Sequence, residues 1–351
     1  MTSSETPSRR SRPWFVIVLV ALVVLLAVAW SGAWVYAANR AEREIDAWVD
    51  REARLGRVWS CGERRLGGFP FRFELTCQAP TLETKGGDPV RVTAASAHAV
   101  AQVWAPNHIV AEFVPPARVE EGTTHRAYTA TWGLLQMSGV GDLGGQPQRF
   151  SLLARDARVE EPADGSGRAL LSARLAEFHV RRVPGAAGPD GLDYAAGITG
   201  GESAVLAAAG SAGPVDVALQ GLVTAAADLR PMPLPQRLKA WAAAGGTARL
   251  DRLTVTTPQM AASARGDLSL DPLGRLNGTL DLGFAGLNDL VKQLDRAGVI
   301  PRELSPVVGA LAMVGKPAMV EGRQGVNFAL SFKSGTLRLG GFPVGMVPPA
   351  F

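Results

Sequence analysis

Gly67-Gly68-Phe69-Pro70-Phe71-Arg72-Phe73-Glu74-Leu75-Thr76-Cys77 is the stretch on which the reading of this chain turns. From Arg72 to Cys77 polar and apolar residues alternate one by one, the period of a strand with one face toward a core and the other toward water. Ahead of it, the two glycines permit positive φ and Pro70 starts a new extended segment, so the strand is entered through a corner made by Gly68, Phe69, Pro70 and Phe71.

Downstream the same grammar repeats. Strand-length pieces are predicted over 90–103, 108–114, 127–137, 150–159, 169–183, 215–229, 247–255, 261–270, 275–284, 326–332 and 336–339. Turns are marked by Pro106-Asn107, Asp164-Gly165, Pro189-Asp190-Gly191 and Asp271-Pro272-Leu273-Gly274. Strands joined by short turns, without a helix between each pair, imply an antiparallel meander. Three helices are expected to interrupt it, over 234–244, 287–297 and 301–314, the second with Leu287, Leu290, Val291 and Leu294 at helical spacing. Two phrases, Gly266-Asp267-Leu268-Ser269-Leu270 and Gly278-Thr279-Leu280-Asp281-Leu282, repeat one pattern and fit a hairpin. The predicted fold is mainly β (α+β): an N-terminal transmembrane helix, then a long, twisted antiparallel sheet with a few packed helices.

Upstream, residues 14–38 run without a charge behind Arg9, Arg10 and Arg12. At about 1.5 Å per residue such a helix covers roughly 37 Å, enough for a hydrocarbon core of about 30 Å. Trp14 stands at one end, and Trp30, Trp34 and Tyr36 toward the other, as amphipathic rings do at headgroup level. Basic residues stay cytoplasmic, so the bulk of the chain is expected across the membrane. A cleaved signal peptide is the competing reading, against which the apolar run is long. Residues 39–56, with Ile45, Trp48 and Val49 among many charges, suit an amphipathic connecting helix. The expected organisation is a cytoplasmic basic tail (1–13), a transmembrane helix (14–38), the connecting helix (39–56) and a periplasmic β-rich domain (57–351). A subdivision of that domain falls near 184–191 or 230–235.

The net charge of +4 is small for 351 residues, and no basic cluster outside the N-terminal flank suggests a nucleic-acid groove. Hydrophobic residues, at 47%, are ample for a core. The two cysteines, Cys61 and Cys77, both fall on the exported side, where an even pair is most simply a disulfide; free thiols or half a metal site are the alternatives.

Catalytic motifs are missing. His98, His108, His125 and His179 are scattered without metal-ligand spacing. Gly139-Val140-Gly141-Asp142-Leu143-Gly144 spells a dinucleotide-binding phrase, but Gly145-Gln146-Pro147 follows where a helix should start, so a glycine-rich hairpin is expected. Glu120-Glu121 and Glu160-Glu161 fall at predicted strand ends and read as solvated turns. No enzyme, no cofactor and no metal site is predicted. The strands' inner faces, rich in Phe, Leu, Val and Ala, read either as a core covered by the three helices or as a concave apolar face left partly open for a lipid.

The anchor, then Gly68-Phe69-Pro70-Phe71-Arg72 with Cys77 shortly after, Trp132-Gly133-Leu134-Leu135, the run 270–278 and the ending 334–343 together resemble an uncharacterised family of single-pass bacterial envelope proteins, a domain of unknown function. The last two phrases are also similar to ones in AsmA-like proteins. Those are anchored in the inner membrane, project into the periplasm and are implicated in lipid traffic and outer-membrane upkeep. That likeness implies a β-rich, groove-forming periplasmic fold and carries over no catalytic residue.

The resulting expectation is a non-enzymatic protein of the inner (cytoplasmic) membrane, single-pass, with its bulk in the periplasm, binding or transferring lipid. The alternative is a scaffold for envelope proteins; a hydrolase with a dispersed site is a third. The expected partners are the membrane, lipid and envelope proteins, not nucleic acid. Arg72 is expected to meet either a phosphate headgroup or a neighbouring carboxylate.

Overall fold

The structure, a computed structural model, describes residues 14–351 apart from 87, 143, 163–167, 184–190, 205–206, 208–212, 227–231, 287–314 and 340. The predicted helices at 287–297 and 301–314, the basic tail, and residues 184–190 and 230–231 of the two suggested subdivision points lie outside the described residues. The chain is mainly β: among the described residues, an antiparallel sheet of nineteen strands is preceded by a long apolar helix. The predicted span and connecting helix are a single helix, α1 (Trp14–Arg54). Its first half is exposed throughout, as an apolar helix without protein neighbours must be.

The first ranks of the sheet are strands broken end to end. β5 (Val90–Gln102) pairs on one side with β3 (Arg72–Gln78) and β4 (Thr81–Thr84), which are one strand bent at Ala79, where φ is 47°. Outside them lie β2 (Glu63–Gly67) against β3 and β1 (Arg57–Ser60) against β4. On the other side of β5 runs β6 (Ala105–Glu121), longer than the predicted 108–114 because the chain continues through Pro115-Pro116. Prolines carry no N–H for a ladder. Both ladders adjust: Pro115 and Pro116 stand opposite Ala95 alone, a bulge in β6 that shifts the register between Ala94 and Ser96, and the next strand splits into β7 (Ala127–Thr131) and β8 (Leu134–Gly141). In the gap the Trp132 indole donates to the Phe113 carbonyl at 2.7 Å.

From there the meander is regular. β9 (Pro147–Glu161) spans both β7 and β8, and β10 (Arg168–Val183), β11 (Gly191–Ser203) and β12 (Val215–Val223) follow in order. The predicted helix at 234–244 is α2 (Leu234–Ala243), fastened by Trp241 donating to the Thr224 carbonyl at 2.8 Å. β13 (Thr247–Thr256), β14 (Ala261–Leu270), β15 (Leu276–Ala285) and β17 (Arg323–Lys333) continue the order. The repeated phrases are indeed partners: Gly266 faces Leu280 and Gly278 faces Leu268 in the β14–β15 hairpin. The far edge of β17 carries β16 (Lys316–Val320) and β18 (Thr336–Leu339), and β19 (Phe342–Met346) closes the order outside β18.

The core is thin. Among the described residues no large side chain is fully buried, and the buried hydrophobic cluster consists of Ala261, Ala285 and Val320. A sheet this long with so few buried residues is not packed like a two-layer domain, in which each apolar face is covered by another element.

Candidate functional site

In an antiparallel sheet, residues directly opposite one another share a face, so the register shows which side chains line up across the strands. One line starts at Leu66 and passes through Leu75, Ala99, Ala111, Met137 and Leu152. It continues through Phe178, Ala196, Leu219, Leu253, Ala264, Leu282 and Phe328. Thirteen strands in a row thus place an apolar residue at the same height. At about 4.8 Å per strand the line is roughly 60 Å long.

Its neighbours on the same face are similar. The row two residues to one side runs from Cys77 through Phe113, Ile198 and Phe284 to Val326, and the row on the other side from Phe73 through Phe150, Tyr194 and Leu280 to Leu339. Phe178 and Ile198, in mid-sheet, remain 40% and 38% exposed. The long dimension of this face lies across the strands, not along them.

The opposite face alternates with it and carries the charged pairs, with Val100, Val110 and Leu153 among them. Glu74 accepts from His98 at 2.7 Å and pairs with Arg72 at 2.8 Å; these contacts, the His98 hydrogen bond foremost, hold its carboxyl below the usual carboxylate range. Gln136 donates to Glu112, Arg181 pairs with Asp193, Arg252 with Glu321, and Arg265 lies 3.6 Å from Asp281. A mixed-charge hollow beside the last two pairs is lined by Thr254, Ser263, Asp281 and Asn327. Among the described residues no group of three or more His, Cys, Asp or Glu is placed to hold a metal ion.

The first strands of the apolar face meet α1. Trp34 stacks on Phe73 with centroids 5.7 Å apart and stands edge-on to Phe69 at 5.6 Å. Trp30 donates to the Pro70 carbonyl at 3.1 Å and Trp34 to the Arg72 carbonyl at 3.2 Å. Arg64, which heads one of the apolar rows, pairs with Asp46 of the helix at 2.7 Å, so that charge is matched where the face begins. Further along, Trp48 packs on Trp59 of β1.

The sequence-predicted residues gather at this edge. Cys61 and Cys77 form a disulfide, joining the connection between β1 and β2 to β3 beside the bend at Ala79. Gly68, with φ of 98°, and the cis Phe69–Pro70 bond make the corner between β2 and β3. A Cβ at Gly68 would lie 2.7 Å from the Arg72 carbonyl oxygen, so glycine is required there. Arg72 takes the carboxylate option, Glu74, with its side chain still 58% exposed. The glycine-rich phrase at 139–144 ends β8 and enters a hairpin to β9, in which Asp142 Oδ1 accepts from the Gly144 and Gln146 N–H groups. What sequence reasoning missed is the joint face: each strand's alternation was visible, but the register that aligns Leu66 with Phe328 was not.

A family described as uncharacterised proteins conserved in bacteria (DUF2125) matches residues 34–348, and the chain belongs to it. The expected family is thereby found; the likeness to AsmA-like proteins is a separate matter on which this match is silent. No curated protein matches the chain.

Proposed function

We propose that this member of a bacterial family is an anchored lipid-handling protein of the cell envelope, in which the apolar face of the sheet receives acyl chains near the membrane and carries them along the strand order. The observation that carries the reading is the unbroken apolar line from Leu66 to Phe328, begun where α1 docks. Exposed apolar areas beyond a few hundred Å² mark sites for a partner or ligand, and a strip roughly 60 Å long and three rows, about 13 Å, wide spans more than that. Its uniform apolar lining, free of fixed polar groups in the central row, suits flexible hydrocarbon better than a small polar substrate. On this reading α1 crosses the inner membrane, for which it is long and apolar enough, and the sheet lies in the periplasm, where the Cys61–Cys77 bond persists. The activity is binding and transfer, without catalysis.

The test uses the full chain, extracted and held in detergent, with bound phospholipid counted by native mass spectrometry. Phe178→Glu with Ile198→Glu places charge on two half-exposed positions of the face; Ser151→Glu places it on the opposite side. Phospholipid at fixed stoichiometry, lost in the double variant and kept in Ser151→Glu, is the expected result. Equal lipid in all three would mean the face is not its binding site.

A second reading rests on β19. All five of its residues are exposed, and its described ladder partner, β18, occupies one side. An edge strand of this kind can add a strand from another protein, the scaffold role. Cross-linking from Val344 to a second protein, with no lipid on the face, would favour it.

A further inference from the structure

We infer that the corner Gly68–Phe71 and the neighbouring Trp104 form a second membrane contact, an aromatic foot set into the interfacial layer of the bilayer beside α1. Three large apolar side chains stand out here: Phe69 is 54% exposed, Phe71 60% and Trp104 68%. They belong to one surface. The Phe71 and Trp104 rings lie 6.5 Å apart, and the Val103 N–H donates to the Phe71 carbonyl at 3.0 Å, which ties the loop after β5 to the corner.

The occupant follows from the helix to which this surface is joined. Trp30 and Trp34 are bonded to the carbonyls of Pro70 and Arg72, and Trp34 touches Phe69. Counting from Trp14 at about 1.5 Å per residue, Trp30 stands roughly 24 Å and Trp34 roughly 30 Å up the helix, the thickness of a hydrocarbon core. A helix that spans from Trp14 therefore leaves the hydrocarbon at the level where the corner is fastened to it. Phe69, Phe71 and Trp104 are then held at headgroup depth, where aromatic rings partition favourably. Arg72, whose Glu74 pairing leaves it more than half exposed, sits at the same level as a donor for lipid phosphate.

The foot has a structural consequence. One helix leaves a domain free to swivel; a second contact fixes the first edge of the sheet on the bilayer and presents the start of the apolar face to the outer leaflet of that membrane. The inference rests on α1 being a membrane span, part of the reading above, but not on lipid moving along the sheet.

The test places a nitroxide label on the full chain in phosphatidylglycerol–phosphatidylethanolamine vesicles and compares accessibility to oxygen with accessibility to a water-soluble nickel chelate. Phe71→Cys and Trp104→Cys carry the probe in turn, leaving the disulfide oxidised. Leu22→Cys, in mid-helix, and Lys333→Cys, exposed on β17, are the references for hydrocarbon and water. The expected result is an oxygen-to-nickel ratio at 71 and 104 severalfold above that at 333 and below that at 22. Ratios at 71 and 104 equal to that at 333, with 22 still in hydrocarbon, would overturn the foot and leave the anchor standing. Labels at 71 and 104 that are immobilised yet water-accessible would assign the aromatics to a protein partner instead. A water-like ratio at 22 would remove the span, and the foot with it.

Discussion

The two faces of this sheet are made by the same strands from alternate residues, yet they obey different rules. On β17, Phe328 is 7% exposed while its neighbours Asn327 and Ala329, pointing the other way, are exposed. Across the strands the contrast persists: one face aligns Leu, Ala, Met and Phe over thirteen strands, and the other pairs Arg with Asp and Glu. A charge on the polar side finds a partner or water. One on the apolar side finds neither, unless it stands at the rim, as Arg64 does beside Asp46. The lesson is that the two faces differ in chemistry rather than in burial: Ala261, Ala285 and Thr254 are buried on the charged side, while the other side is a continuous apolar track.

The sharpest way to break that comparison is to truncate one residue on each side of a single strand. Phe328→Ala is expected to cost about 3–5 kcal/mol, as loss of a buried aromatic does. Asn327→Ala, one position away, should stay within about 0.5 kcal/mol, the usual range for surface changes. Urea denaturation of both variants decides it. Comparable losses would mean that the two faces are not energetically distinct. The difference would then have to be sought in partners, not in the sheet itself.

A somewhat smaller effect is expected at the start of the track. Cys77 belongs to an apolar row, and its bond to Cys61 closes a loop that holds β2 and the corner into β3. In the chain-entropy model a loop of this size contributes about 3 kcal/mol. Cys61→Ser with Cys77→Ser should therefore lower the melting temperature, and reducing agent should do the same to the native chain. The damage should be local: protease cleavage should appear first near residues 57–84. Cleavage beginning instead in β13 to β15 would show that the sheet melts as one unit and that its first edge has no separate stability.

Much of the architecture was legible along single strands. β14 and β18 coincide with the predicted 261–270 and 336–339, and β13 and β15 differ by a residue at an end, because alternation and turn residues both point the same way there. Two of the missed strands share a cause. β2 reads Glu-Arg-Arg-Leu-Gly and β11 carries several glycines with few branched side chains, so neither shows strand propensity; both are held by neighbours on two sides or by α1. The extension of β6 past Pro115-Pro116 was hidden as well, since only the bulge opposite Ala95 and the break between β7 and β8 make two prolines tolerable. The candidate site was half legible: the disulfide and the corner are local in sequence, while the apolar track depends on register, which a one-residue slip would invert.

The last comparison is electrostatic and the effect is the smallest. Of the carboxyls held below their usual range, Glu74 sits on the polar face, Asp142 and Asp271 in turns, and Glu52 on α1 beside Arg57. For Asp142 the Gln146 N–H is the chief cause. For Asp271 burial pulls upward but is outweighed by the Arg275 and Leu273 N–H groups and the Arg275 guanidinium, 2.7 Å away. A carboxyl whose folded pKa lies below its unfolded value of about 3.9 stabilises the fold above that value and loses the contribution as pH falls through the folded one. Stability should therefore be flat from pH 7 to about pH 5 and decline below about pH 4, and Asp271→Asn should shrink the decline by removing one of its sources. Because the central row of the apolar face contains no titratable group, bound phospholipid should be retained across the same interval until the sheet itself unfolds. Release of lipid near pH 6, ahead of any loss of structure, would place a titrating group on the track and erase the separation of the two faces.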